Sequence, residues 1–400
     1  MTIPELRFKA DDGSEFPDWE GKKLGDNVKF INGRAYSQDE LLSVGKYQVL
    51  RVGNLFTNDT YYYSDMELEP DKYIEDGDLI YAWSATFGPR IYIGNKCIYH
   101  YHIWKLKFDE NIVSKTFLNY ILERDVEKIM SQRTGGTMVH ITKSAMENRE
   151  LFFPSLPEQK KIASFLSTID DIITTTEAEL AAWQERKKGV MQKIFNREVR
   201  FKADDGSEFP EWEERRIDSF ANCYAGATPS TKVAEYWQNG SIPWMSSGEV
   251  NNREIYETEK KISELGYEKS STKMIKPNTV VIALAGQGKT RGMVAIARIS
   301  VCTNQSLCAI ETNDMVNDDY LYQYLITQYD NLRRISSGDG TRGGLNLQLV
   351  GEYKVFLPVL HEQKKIADCL SSLDDVINQI NAELSAWKEF KKGLLQQMFV

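Results

Sequence analysis

The eleven residues Arg7-Phe8-Lys9-Ala10-Asp11-Asp12-Gly13-Ser14-Glu15-Phe16-Pro17 return unchanged at Arg200 to Pro210, and Trp19-Glu20 return as Trp212-Glu213. A second repeat runs from Leu156 to Phe195 and comes back at Leu360 to Phe399, with 23 identities in 40 ungapped positions. The chain is therefore one cassette written twice: a short lead-in, a long variable stretch, then a repeated helix. The variable stretches, 18–153 and 211–357, show little likeness. Ordinary duplication with drift blurs scaffold and insert alike. Constant ends around divergent inserts read instead as one architecture holding two different recognition heads. The resulting domains are 1–153 (lead-in and first head), 154–197 (first helix), 198–357 (second lead-in and head) and 358–400 (second helix).

The repeated segments are long helices by pattern. Glu158 to Asn196 contains no proline and a single glycine, Gly189. Ile162, Leu166, Ile169, Ile173, Thr176, Leu180, Trp183, Lys187, Val190 and Ile194 step by four and three, as a heptad seam does. The second copy keeps the seam as Ile366, Leu370, Leu373, Ile377, Ile380, Leu384, Trp387, Lys391, Leu394 and Met398. Pro157 stands where a helix start tolerates proline; His361 replaces it in the second copy. At 1.5 Å per residue each helix extends on the order of 58 Å. Neither seam buries itself alone, and the simplest solution packs one helix against the other. Because a whole head separates them in sequence, the pair can run antiparallel, with an approximate twofold axis and one head near each end. Trp183, Lys187, Trp387 and Lys391 interrupt the apolar seam; they serve either helix-pair packing or docking of a partner protein. The fold class expected is α+β: two mixed α/β heads joined by two long helices packed as an antiparallel coiled coil.

Composition narrows the functional classes. With 42% hydrophobic residues the chain can fill real cores, and no apolar window of about 18 residues offers a membrane span. The N-terminus lacks the apolar run of a secretory signal. Cys97, Cys223, Cys302, Cys308 and Cys369 are scattered and odd in number, which fits a reduced, cytoplasmic protein without a disulfide framework. The net charge of −9 is unusual for a nucleic-acid binder. A local basic patch on an acidic chain, supplemented by a cationic partner, resolves that tension.

Both heads mix short apolar strands with polar turns. In the first the strand-like stretches are Tyr47 to Val52, Asp78 to Trp83, Arg90 to Ile93 and Ile98 to Leu106. In the second they are Ile242 to Met245, Thr279 to Leu284, Met293 to Ala297 and Ser306 to Ile310. Helical stretches follow at Lys115 to Met130 and Asp318 to Ile335, each leading to a glycine-rich loop. Three segments per head combine flexible backbone with hydroxyls, amides or cations. The first head offers Asn32 and Arg34, then Ser84, Thr86 and Arg90, then Arg133 and Thr137. The second offers Thr228, Ser230 and Lys232, then Lys289, Thr290 and Arg291, then Thr341 and Arg342. Glycine lets backbone approach phosphate closely, and these side chains bond phosphates or base edges. Taken singly such loops are equally well surface turns; their recurrence at matching places supports a DNA role. Ser246 and Ser247, near Trp244 and Glu249, form a further polar cluster able to read a base edge, with Trp244 itself suited to the core. Tyr61-Tyr62-Tyr63 lines either a DNA surface or a strand. His100 and His102 have metal-ligand spacing, yet no neighbouring Cys, His or Asp completes a site, so no metal is expected.

Three enzymatic readings fail on spacing. Gly288-Lys289-Thr290 resembles the end of a phosphate-binding loop, but Ala283 stands where its first glycine belongs, and Met293 to Ala297 reads as a strand where a helix should open. Asp18, Glu20 and Lys22 are too compressed for a metal-dependent nuclease, and the second copy drops the lysine. No Asn-Pro-Pro-aromatic or Asp-Pro-Pro-aromatic motif of the amino-methyltransferases is present. No convincing catalytic set remains.

Pro154-Ser155-Leu156-Pro157-Glu158-Gln159-Lys160-Lys161-Ile162 and its echo Pro358-Val359-Leu360-His361-Glu362-Gln363-Lys364-Lys365-Ile366 introduce the two long helices. Together with the Gly226 to Lys232 turn, Tyr236-Trp237 and Ile242-Pro243-Trp244, they resemble the specificity subunit of type I restriction–modification systems across nearly the whole chain. The resemblance implies that each head reads half of a split double-stranded DNA target, with the paired helices as a ruler between half-sites that recur about every 34 Å on one face. It implies two methyltransferase subunits that bring S-adenosylmethionine and flip out one adenine each. It also implies restriction–translocase subunits that use ATP and magnesium, with no cofactor on this chain. Two readings from other classes stand beside it: a coiled-coil assembly scaffold without DNA specificity, and a nucleotide hydrolase.

Overall fold

The computed structural model describes residues 4–56, 58–84, 88–131, 141–286, 288–336 and 344–399. Both repeated segments are unbroken helices, Leu156–Phe195 and Leu360–Met398. Every seam position is buried or half-buried, while the intervening positions are largely exposed. The chain packs as two compact units, Met1–Glu177 with Ala382–Val400, and Ala178–Asn381. Each unit thus combines one head, the start of the helix that follows it, and the end of the other helix.

Within each unit the two helix segments run antiparallel, and the polar seam residues fix the register. In the first, Lys391 pairs with Asp170 at 2.9 Å and Lys388 with Glu177 at 2.6 Å. In the second, Lys187 Nζ lies 2.6 Å from both oxygens of Asp374, while Met191 and Ile194 share a core with Ile366 and Leu370. Lys187 and Lys391 are equivalent positions of the repeat, as are Asp374 and Asp170. A residue of each head joins the same aspartate: Tyr120 donates to Asp170 at 2.6 Å, and Gln323 donates to Asp374 at 2.7 Å. Burial works against the charge of Lys391, but Glu123 and Asp170 outweigh it and hold its pKa above the ordinary lysine value. Both lysines thus make ion pairs within the helix pair. Trp183 and Trp387 are half-buried; Arg186 lies over the ring of Trp183, and Trp387 meets Phe390 edge-on. A double-mutant cycle of Lys187→Ala and Asp374→Ala, read by urea denaturation, should give a coupling of about 1–2 kcal/mol, since the pair is only partly exposed.

The helix starts explain the Glu-Gln motif. Glu158, fully buried, accepts hydrogen bonds from Arg7 Nε (3.0 Å), Arg7 Nη2 (2.9 Å) and Trp19 Nε1 (3.3 Å). Its counterpart Glu362 accepts from Arg200 Nε (3.2 Å), Arg200 Nη2 (2.9 Å) and Trp212 Nε1 (3.1 Å). Gln159 accepts from the Ser114 amide at 2.9 Å and donates to the Ile112 and Pro154 carbonyls; Gln363 treats Asn317, Met315 and Pro358 in the same way. One glutamate thus ties each lead-in to the helix, and the next residue ties the loop before the head helix. A bidentate, charge-assisted pair at a buried carboxylate is a strong joint. A two-stranded antiparallel ribbon closes each head beside it, Glu20–Lys23 with Glu150–Phe153 and Glu213–Arg216 with Lys354–Leu357.

The heads differ in sequence but share their topology. In the first, one sheet orders Lys29–Asn32, Ile103–Lys107, Leu79–Ala82 and Gly88–Ile91; the other orders Tyr62–Ser64, Tyr47–Leu50, Cys97–Tyr99 and Tyr73–Ile74. In the second, Ala221–Ala225, Leu307–Thr312, Thr279–Ala283 and Val294–Ala297 repeat the first order, with Glu254–Ile255 added at the edge. Lys260–Ile262, Ile242–Met245, Val301–Thr303 and Met274–Ile275 repeat the other, including its one parallel pairing, Ile242–Met245 with Val301–Thr303. Thr279–Ala283 shows why these runs are strands: every residue is buried, and successive side chains enter different cores. Val280 and Ile282 pack toward Tyr320 and Leu321 of the head helix, whereas Val281 and Ala283 pack with Met245 and Val250.

Two expectations are corrected here. The stretch Ile98 to Leu106 is not one strand; it breaks at His100-Tyr101-His102 and passes from one sheet to the other. The helix Asp318 to Ile335 is two, Asp318–Thr327 and Tyr329–Ile335, joined at Gln328.

Candidate nucleic-acid interface

One of the three loop pairs lies wholly on described residues and a second lies on them in part. Thr86, Arg133, Thr137, Thr341 and Arg342 lie outside them. The glycine turns come first. A Cβ on Gly33 would overlap the carbonyl oxygen of Tyr99, and one on Gly226 would overlap that of Thr303. Only glycine allows this approach, so each turn is laid directly on the end of a central strand. Asn32, Thr228, Ser230 and Lys232 are exposed along these turns. The Thr228 hydroxyl donates to Gln305 Oε1 at 2.6 Å, and the Ala227 carbonyl accepts from the Trp244 indole at 3.0 Å.

The second loop pair follows the buried strands Leu79–Ala82 and Thr279–Ala283. In the second head its backbone is held by the helix Tyr329–Ile335. Arg333 Nη1 donates to the Gly288 carbonyl at 2.6 Å, and the Tyr329 hydroxyl donates to the Lys289 carbonyl at 2.7 Å. Gly286, Gly288 and Gly292 adopt φ of 134°, 72° and 82°, values that favour glycine. Lys289 is left exposed on a fixed backbone, with Thr290 and Arg291 half-buried beside it. The chain then enters the strand Val294–Ala297, so the loop does not open a helix as a nucleotide-binding loop must. In the first head Arg90 is exposed, its guanidinium 5.0 Å from the ring of Phe56.

Four residues predicted to touch DNA are also built into the heads' own structure. Arg34 gives its fork to Glu40 at 2.6 and 2.9 Å, and with the Ser37 amide holds that carboxyl down at about 2. It pins its own turn rather than offering a free cation. Ser84 is buried, 5% exposed. Ser246 caps the short helix Ser247–Asn252, its amide and hydroxyl both donating to the buried Glu249 at 2.6 and 2.9 Å. Ser247, half-buried, opens that helix. Trp244 is core, 5% exposed, and Tyr62 and Tyr63 lie on a strand. Among the described residues no group of three His, Cys, Asp or Glu is placed to hold a metal ion.

Sequence reading missed the residues that hold the loops. Tyr329 and Arg333 lie about forty residues beyond the loop they support, with no local pattern to link them. Arg51, exposed over the ring of Tyr62, is a cation of the first head that no motif marked. The Ser246 cap was legible, because Ser-x-x-Glu is a capping box.

Known proteins carry the same design. The family model described as type I restriction modification DNA specificity domain matches residues 17–182 and 210–386. The MjaVIII type I restriction enzyme specificity subunit of Methanocaldococcus jannaschii is 26% identical over 98% of this chain and 94% of its own. The EcoR124I/EcoR124II specificity subunit of Escherichia coli is 26% identical over 58% of this chain and 56% of its own. The crystal structure of a type I restriction–modification S subunit from M. genitalium superposes with a TM-score of 0.64 at 18% identity, covering 100% of this chain and 99% of that one. Two heads of one topology, fastened by one repeated joint and matched twice by one family, lead to a single conclusion: the chain belongs to the type I restriction–modification DNA specificity family, and its work is sequence-specific DNA recognition within such a system.

Proposed function

We propose that the two heads read the two halves of one split target in double-stranded DNA, and that the chain itself performs no catalysis. Chemistry is supplied by partners: two methyltransferase subunits that bind S-adenosylmethionine and methylate an adenine in each half, and restriction–translocase subunits that use ATP and magnesium. Adenine leaves the stack to be methylated, so recognition and modification call for different surfaces. The complex acts in the cytoplasm, where the DNA is. The observation that carries this reading is the repetition of one topology and one joint under two unlike sets of loops. A structure of 17% identity and TM-score 0.53, described as the basis of complex assembly and conformational transition of the type I R-M system, supports the expectation of partners.

Modification sequencing of cells expressing this chain with its methyltransferase, against cells lacking it, tests the proposal. A split motif with N6-methyladenine in both halves is expected; no new methylation with an active, bound methyltransferase would leave an assembly scaffold in its place. Arg291→Ala is expected to weaken or relax only the half-site read by the second head, by about ten- to hundredfold in methylation preference. Loss of both halves would contradict modular reading.

A further inference from the structure

In each head the chain crosses from one sheet to the other in three residues, His100-Tyr101-His102 and Asn304-Gln305-Ser306. The turns share no residue, yet three backbone hydrogen bonds recur at matching positions. The His100 amide donates to the Leu50 carbonyl at 2.9 Å, and that of Asn304 to Met245 at 3.1 Å. Ile103 donates to the His100 carbonyl at 3.0 Å, and Leu307 to that of Asn304 at 3.3 Å. Trp83 donates to the His102 carbonyl at 3.1 Å, and Leu284 to that of Ser306 at 2.8 Å. The exposure pattern matches as well: the middle residue is exposed and its neighbours half-buried in both turns.

Each turn also sits between the two candidate loops of its head. On one side the glycine turn presses on the residue before it, Tyr99 or Thr303. On the other, the loop after the buried strand begins with the bond from Trp83 or Leu284. A recurrent backbone frame that carries unlike polar tips is the arrangement a reading position requires. The scaffold fixes where the side chain stands, and the side chain alone decides what it recognises.

We infer that these two turns are specificity-determining elements, and that Gln305 reads an adenine edge in the half-site of the second head; the inference rests on the DNA-recognition reading above. The Thr228 hydroxyl orients the Gln305 amide through its oxygen at 2.6 Å. That oxygen has a second lone pair, and the NH2 group supplies donors, so the amide can meet adenine N6 and N7 together in the major groove. In the first head the aromatic turn offers two imidazoles and a phenol. Burial, with His102 and Arg51 nearby, lowers the His100 pKa to about 4, so this imidazole is neutral near pH 7; its Nδ1 accepts from the His102 amide at 3.4 Å, which leaves Nε2–H as the donor it offers.

The test uses the chain assembled with its methyltransferase and measures methylation of a library substituted at each position of the target. Gln305→Ala is expected to lower discrimination at one A·T pair of one half-site about ten- to hundredfold and to leave the other half unchanged. Gln305→Glu keeps the shape but removes the donors, and should shift preference at that pair toward cytosine, whose N4 donates. Unaltered preference at every position, in variants that melt as the wild type does, would overturn the turn's role while leaving DNA recognition standing. A wild-type complex without any sequence preference would overturn the split-target reading and the turn with it.

Discussion

Replacing Glu362 by alanine is expected to lower the stability of the second unit by about 3 kcal/mol. The carboxylate is fully buried and answers three donors, two from Arg200 and one from Trp212. Its removal leaves a guanidinium only 16% exposed, still near the Phe209 and Pro210 carbonyls and Glu211, and an indole N–H in a buried site without its acceptor. The loss comes mainly from those stranded donors rather than from the missing attraction. Glu362→Gln keeps the shape and one acceptor but not the charge, and should fall between the two. Hydrogen exchange supplies the readout: amides of the second unit should lose protection while those of the first keep theirs. Glu158→Ala provides the mirror experiment, with the loss in the first unit.

Gly226→Ala is the second large effect, expected at about 3 kcal/mol and concentrated at the edge of one head. The new methyl group would occupy the space of the Thr303 carbonyl, which belongs to a buried strand and cannot yield cheaply. Relief requires the turn to lift, which would carry Thr228 away from Gln305 and Ala227 away from Trp244. Selective methylation should therefore fall in one half-site by far more than the global melting temperature suggests. Gly33→Ala should do the same in the other head. Equal damage to both halves, or none, would show that the turn is not part of a local reading surface.

Much of the fold was legible because it is periodic or repeated. The heptad seams predicted both long helices and their burial, and the repeat predicted two heads on one plan. The work of Glu158 and Gln159 was not legible, although their motif was conspicuous. Their partners Arg7, Trp19 and Ser114 lie 45 to 151 residues away, and no local pattern reports such distances. The break at His100 was hidden for a different reason. A strand that changes sheets without glycine or proline keeps its apolar rhythm on both sides, so His100 and His102 read as two positions on one strand. Charges told least: Arg34 looked like a free cation until the fold brought Glu40 against it. A cation that anchors a loop and one that grips phosphate have the same letter in the sequence.

The ribbons that close the two heads bear on how such a chain acquires new targets. Glu20 faces Phe153 and Glu213 faces Leu357 across antiparallel strands, so each insert leaves and rejoins the scaffold at neighbouring points. Strands so paired stand about 4.8 Å apart. A foreign insert thus has to bring termini at that spacing and a head helix that meets the scaffold as Tyr120 meets Asp170 and Gln323 meets Asp374, while the glutamate joint beneath it is already made by residues of the repeat. A head that keeps the few side chains packed on the long helices can then be exchanged whole, and a new specificity can arrive in one event instead of many compensated substitutions.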